Sequence, residues 1–321
     1  MQRHRLSILV ATAALACGGR KPPSTEPPRN PEAISLLGVP LYAARDTSGI
    51  IAITDRQLAE HPRDLTSLIN AGIARASARR FNSAVEIFSR AIEMYPNEAR
   101  LYRFRGHRYL SLRRFEDAVK DLEHAVFLDS TNYDIAYHLA LAYYLTQRYA
   151  EAASAIERCM TFSENPKWLA VEEARVNPVW YRSCMSVKTD DDARAAMLDW
   201  RYRALRRAGK HAEARRLARG VRERWTVEEN APYYRALLFY RGVRDEMPTL
   251  DSLSAAGELS FVTGTYGVAN WHLVEGDTAR ARALLARIVA SSQWPAFGFI
   301  AAEVDLARMK RAPPPDAQER D

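Results

Sequence analysis

Apolar residues fall three or four apart through most of this chain, the spacing of helices that each bury one stripe. One stretch of the pattern recurs. "RRFNSAVEIFSRA" (79–91), "RRFEDAVKDLEHA" (113–125) and "QRYAEAASAIERC" (147–159) stand 34 residues apart. At that period Gly72, Gly106 and Ala140 coincide, as do Phe81, Phe115 and Tyr149. Ala84, Ala118 and Ala152 align, then Phe88, Leu122 and Ile156, then Ala91, Ala125 and Cys159. Each unit reads as two helices joined by a short turn. The small residues mark places where the two helices come close, and the aromatic after the turn packs them together. A single pair cannot bury its stripe, so copies must stack and share a core.

These residues resemble the tetratricopeptide repeat (TPR), a pair of antiparallel helices per 34 residues. The resemblance implies an all-α fold, a right-handed α-solenoid of helix-turn-helix repeats closed by a terminal capping helix. An N-terminal array occupies 32–166, with clear units at 65–98, 99–132 and 133–166. "LAEHP" (58–62) sits one period before "IEMYP" (92–96) and predicts a partial unit ahead of the first. Residues 195–309 carry degenerate repeat-like helices, with Ala214 and Ala218 at small positions of one pair. Gly276 and Ala281 mark a second pair, and "WPAFGFIAAEVDLARM" (294–309) reads as the cap. Two stretches leave the register. Residues 167–194 form an irregular insertion whose Trp168, Trp180 and Tyr181 either plug the solenoid or make a binding lip. "NAPYYRALLFYRG" (230–242) predicts a helix outside the pattern, followed by a Pro- and Ser-containing connection to about Ser254. The tail, 310–321, reads as disordered.

The first residues have a different character. Arg3 and Arg5 precede an uncharged apolar run from Leu6 to Ala16, which is too short to span a bilayer and has the layout of a signal peptide over 1–16. The run ends in "AALAC", which resembles the lipobox of bacterial lipoproteins and implies lipidation at Cys17. "ALA" before Cys17 also satisfies ordinary signal cleavage, so both readings stand. Residues 17–31 then form a Pro-rich tether, reaching roughly 40 Å at ~3.1 Å per residue. Gly18, where some bacteria use Asp for inner-membrane retention, points to the outer membrane and its periplasmic face.

The formal charge of +7 changes little, because the charges sit on the outer faces of helices and no aromatic-basic nucleic-acid motif accompanies them. Cys159 and Cys184 either pair in an oxidising compartment or remain free and buried. A disulfide there would close a loop worth about 3 kcal/mol. No zinc-protease, zinc-knuckle, phosphate-loop or Gly-x-Ser-x-Gly pattern is present, and "TGTYG" (263–267) reads as helix punctuation. The expectation is therefore no catalytic residue, no metal and no cofactor.

Binding is the remaining role. The resemblance implies that the first helix of each unit lines a concave groove for a protein or peptide. By position the lining is Ile69, Ile73, Arg103, His107, Tyr137, Leu141 and Tyr144, with Arg100 and Asp134 nearer the edge. Cations beside aromatics suit an extended acidic-aromatic ligand, although the same residues also describe a merely exposed helix face. Ile69 and Ile73 stand where the Lys and Asn of a chaperone-tail clamp would be, so that ligand is not expected. The favoured reading is an exported, lipid-anchored adaptor or assembly factor at the cell envelope. An envelope enzyme or small-molecule component with an inter-repeat pocket, and a homodimerising structural subunit, are the alternatives.

Overall fold

In a computed structural model the apolar stripes become fifteen helices among the described residues, which are 30–165 and 182–311. The fold is an all-α solenoid. The three clear repeats are α2 (Leu65–Ser77) with α3 (Phe81–Met94), α4 (Ala99–Ser111) with α5 (Phe115–Leu128), and α6 (Tyr133–Leu145) with α7 (Tyr149–Glu164). First helices begin at side-chain caps: Asp64 accepts from Ser67 N–H, Glu98 from Arg100 N–H and Asn132 from Ile135 N–H. Second helices need no such cap. Each follows a turn in which one residue turns left-handed and the next N–H reaches back five residues, as Arg114 N–H does to Tyr109 O at 2.9 Å.

The small positions have the expected cause. A Cβ on Gly72 would run into the Phe88 ring, and one on Gly106 would stand 2.8 Å from Leu122 Cγ. Ala84, Ala118, Ala91 and Ala125 have no exposed surface.

The ends of the array depart from the sequence reading. Only the second helix of the partial leading unit forms, α1 (Ile50–Glu60). The chain before it makes a two-stranded hairpin, β1 (Ala33–Ile34) antiparallel to β2 (Pro40–Leu41), whose Leu41 joins the main core beside Phe81. Glu32 fixes this hairpin by accepting from the Asn82 backbone and side chain at 2.9 and 2.8–3.0 Å across its carboxylate and carbonyl oxygens. After α7 an isolated bridge, Asn132 to Ser183, ties the chain back to the start of α6. Beside it Cys159 and Cys184 form a disulfide, 5.2 Å between Cα atoms, leading to α8 (Ser186–Thr189).

A fourth pair follows, α9 (Asp191–Arg207) with α10 (His211–Arg219), beginning earlier than 195 because Asp190 caps it. Then come α11 (Ala231–Tyr240), α12 (Glu246–Ala255), α13 (Glu258–Glu275), α14 (Thr278–Val289) and α15 (Phe297–Arg311). α12 was expected to be a connection. Its Pro248 lies in the first turn, where the missing N–H leaves no helical bond unmade. "TGTYG" lies inside α13 rather than ending a helix. Its Gly264 lets Leu253 and the Pro232 carbonyl approach, and Gly267 admits the Tyr240 hydroxyl. α15 runs to Arg311, two residues into the expected tail. The signal peptide, Cys17, most of the tether, and Trp168, Trp180 and Tyr181 lie outside the described residues.

α15 crosses α13 at Gly298, where a Cβ would meet the Val262 carbonyl and stand 3.1 Å from Thr263 Cα. Backbone cannot step aside as the Phe88 ring can. Gly298→Ala should therefore destabilise the fold by about 2 kcal/mol, the usual scale for overpacking, with a smaller loss for Gly72→Ala. Urea midpoints of the two variants would check the order.

Candidate functional site: a concave face closed by its own C-terminal half

The inner face of α6 carries Tyr137, Leu141 and Tyr144, all expected to line an open groove. All three are buried. The Tyr137 hydroxyl lies 3.0 Å from that of Tyr233 on α11, and the Tyr144 hydroxyl lies 2.9 Å from both Tyr266 and Asn270 Oδ1 on α13. Arg207 extends this network, reaching Asn270 Oδ1 at 2.6 Å and Asp305 at 2.5 Å, and Tyr266 donates to Asp305 at 3.0 Å. These residues are core because the solenoid folds back on itself. A stripe so rich in aromatic area is covered by the chain's own second half before any partner arrives.

The closing contact is built from the repeat turns. Arg79 and Arg113 occupy the left-handed turn position, at φ 55 and φ 64, that Gly209 fills in the fourth pair. A side chain there is strained, and the two arginines share a use for it. Both guanidiniums lie over the Trp294 ring, at 6.0 and 5.5 Å. Arg79 donates to Ser292 O at 3.0 Å and Arg113 to Trp294 O at 3.1 Å. Arg113 also pairs with Glu303 at 2.6 Å, with side chains 3% and 0% exposed. Trp294 meets Phe81 edge-on at 5.2 Å, and Leu36 N–H donates to Glu303 from the hairpin. One carboxylate thus joins the N-terminal strap, the second repeat and the last helix.

What remains open lies on α2 and α4. Ile69 is buried, whereas Ile73 is 38% exposed. Arg100 pairs with Glu98 at 2.6 Å, away from the face. Arg103 pairs with Asp134 at 3.0 Å and covers the Phe104 ring at 4.8 Å. The His107 ring stands 4.3 Å from His138 and 5.2 Å from Phe297 at the head of α15. Two participants were not anticipated from sequence. Arg108 stacks 5.2 Å over Phe81, and no carboxylate pairs with it among the described residues. His138 holds its Nδ1 2.5 Å from Asp134 O, so that nitrogen carries the proton. Burial, then the neighbouring cations, push both imidazoles well below the usual histidine range. Burial and Arg103 likewise pull Arg108 down to about 9. Phe297 and Tyr233 also line an adjoining cavity of about 450 Å³, with Glu228, Glu229, Arg235 and Leu259 around it. Only their fold-back position brings them here, so no local signal could have marked them.

Among the described residues no three His, Cys, Asp or Glu side chains are grouped to hold a metal ion, and no helix is long and apolar enough to cross a membrane. Residues 105–159 match the family model of the tetratricopeptide repeat, covering most of the second and third repeats. No curated protein sequence matches the chain. Among solved structures, MamA protein is similar at 17% identity and a TM-score of 0.41, over 57% of this chain and 90% of that one. YrrB, a TPR protein with an unusual peptide-binding site, is similar at 13% and 0.42, over 80% and 97%. Naa15/Naa10 bound to HypK-THB is similar at 13% and 0.35, over 78% of this chain and 36% of that one.

Arg113→Gly relieves a left-handed turn worth ~1 kcal/mol but strands the buried Glu303, a loss of about 3–5 kcal/mol. It should be clearly destabilising in urea titrations, whereas Arg79→Gly, which leaves no buried charge behind, should fall within ~1 kcal/mol of wild type. The histidines generate a pH prediction. Below pH 6.5 the unfolded chain takes up protons that the folded imidazoles refuse, so the contribution is full above that pH and declines as pH falls. Comparing melting temperatures at pH 7.5 and 5.5 should show a smaller drop for His107→Gln than for wild type.

Proposed function

We propose that this chain is an exported, lipid-anchored scaffold that holds a protein partner at the periplasmic face of the bacterial outer membrane. Its role is binding and not catalysis. The observation that carries the reading is the part of the repeat surface left uncovered: Ile73 on α2 is 38% exposed, and Arg103, His107 and Arg108 on α4 are half-buried, an apolar and cationic surface of the kind that anchors an extended chain. The repeat match over 105–159 agrees with an interaction module. Export is supported by the apolar run ahead of Cys17, and the Cys159–Cys184 disulfide accords with an oxidising compartment. Stable anchoring would use the several acyl chains of a mature lipoprotein, since one chain binds membranes marginally. A small-molecule role is the second reading, favoured by the 450 Å³ cavity.

Two measurements check this. Cys17→Ala should move the protein from the membrane pellet to the soluble fraction, and unchanged pelleting would remove the anchor. A photo-crosslinking residue at Ile73 in the native cell should give one discrete protein adduct that is absent with the probe at Lys120, exposed on α5. No adduct at either position would favour the small-molecule reading.

A further inference from the structure

We propose that a cavity at the carboxyl ends of α9 and α15 binds a small monocarboxylate that carries an apolar tail, with the chemistry of a short fatty acid. The cavity, about 390 Å³, is lined by Arg207 from α9, Leu273 from α13, and Asp305, Arg308, Met309 and Arg311 from α15. That volume lies within the range of small-molecule sites. None of its lining residues belongs to the groove expected from the repeats or to the cavity beside Tyr233 and Phe297. The inference therefore stands independently of the scaffold reading.

The charges around this cavity do not balance. Three guanidiniums line it, and Asp305 is the one acid among its lining residues. Asp305 is already shared: Arg207 reaches it at 2.5 Å and Arg308 at 3.5 Å, while Tyr266 donates to it at 3.0 Å. Arg311 is exposed and has no ion-pair partner among the described residues. The carboxyl ends of α9 and α15 each offset about half a charge, so roughly one positive charge is left over. One carboxylate matches that surplus; a doubly charged phosphate exceeds it.

The free nitrogens suit the same group. Arg207 uses Nε on Asn270 Oδ1 at 2.6 Å and Nη2 on Asp305, and its Nη1 makes no hydrogen bond among the described residues yet keeps contact with solvent. Arg308 uses Nη1 on Tyr149 and Asp305, at 3.0 and 3.5 Å, and keeps its Nε–Nη2 edge. That edge is a fork that takes a carboxylate through two parallel bonds. Leu273 and Met309, both half-buried, supply the apolar wall. A tail laid on them gains up to about fourfold in affinity per buried methylene, which a bare anion does not.

The test uses the full chain with ¹³C-methyl methionine and sodium octanoate at pH 7.5, where the carboxylate is ionised. The Met309 resonance, assigned with the volume-conserving Met309→Leu, should shift saturably. Hexanoate should bind roughly tenfold tighter than butanoate. Arg308→Gln should weaken octanoate at least tenfold. Arg308→Lys should recover only part of the loss, because an ammonium carries the charge without the paired nitrogens. The ligand series on the wild-type chain decides the point even if a variant loses stability. No saturable shift at Met309 overturns the site, as does unchanged affinity in Arg308→Gln. An equal shift with octanamide would reveal an apolar cavity without anion recognition, and an equal shift with acetate or inorganic phosphate an anion site without a tail. Either result sinks the proposal. None of these outcomes bears on the scaffold, which the crosslink at Ile73 tests by itself.

Discussion

The buried pair between Arg113 and Glu303 is the contact on which the architecture turns. A stack of helix pairs has no intrinsic reason to close, since each unit touches only its neighbours. Here the third repeat presents tyrosines on its inner face, and the chain after α9 curls back to cover them. Glu303 has no exposed side-chain surface, so without Arg113 it would be an uncompensated charge in the core. The same arginine tolerates a left-handed backbone that glycine would adopt freely. The left-handed turn is local to each repeat, since Gln147 adopts it too at φ 65, whereas burial of the acid depends on closure.

Closure is specified by more than one polar contact. Asp199 and Arg203 pair at 2.5 Å with no exposure on either side, Arg203 lying 4.5 Å over Trp200 and 5.2 Å over Tyr266. Burial pushes the Asp199 carboxyl up to about 7 even against Arg203. Arg207 with Asp305 makes a second interior pair, tied to Tyr144 through Asn270. Asp199 and Arg203 stand four residues apart on α9 and keep each other, but a slip of α13 or α15 by one turn would take the Thr263 carbonyl from Arg203 and Asp305 from Arg207, in a medium that solvates charge poorly. Apolar packing tolerates several registers; these cross-helix contacts tolerate one.

The functional consequence is a groove of reduced length and altered character. With α6 covered, the accessible inner surface shifts to α2 and α4, where the side chains are cationic and the acids few. Phe297 and Tyr233 enter as walls contributed from far along the chain. There the imidazoles of His107 and His138 stand 4.3 Å apart, held well below the usual histidine range by burial and then by the neighbouring cations.

The period of 34 residues determined the helix pairs by itself, because small and aromatic positions recur where local packing within a pair requires them: Gly106 against Leu122, the alanines against facing helices. The same pattern marked Gly276 and Ala281 in a degenerate copy, and the turn of α13 into α14 falls there. The glycines inside α13 were illegible, since Gly264 and Gly267 serve contacts with α11 and α12 that no local pattern encodes. For the same reason Ile73, Arg103 and His107 could be placed on the inner face from the repeat alone, while the burial of Tyr137, Leu141 and Tyr144 could not. Which helix face a residue occupies is set by 3.6-residue periodicity within a few turns of chain. Whether that face meets water is set by what returns to it from more than a hundred residues away, as Tyr266 returns to Tyr144, and only the tertiary structure decided that.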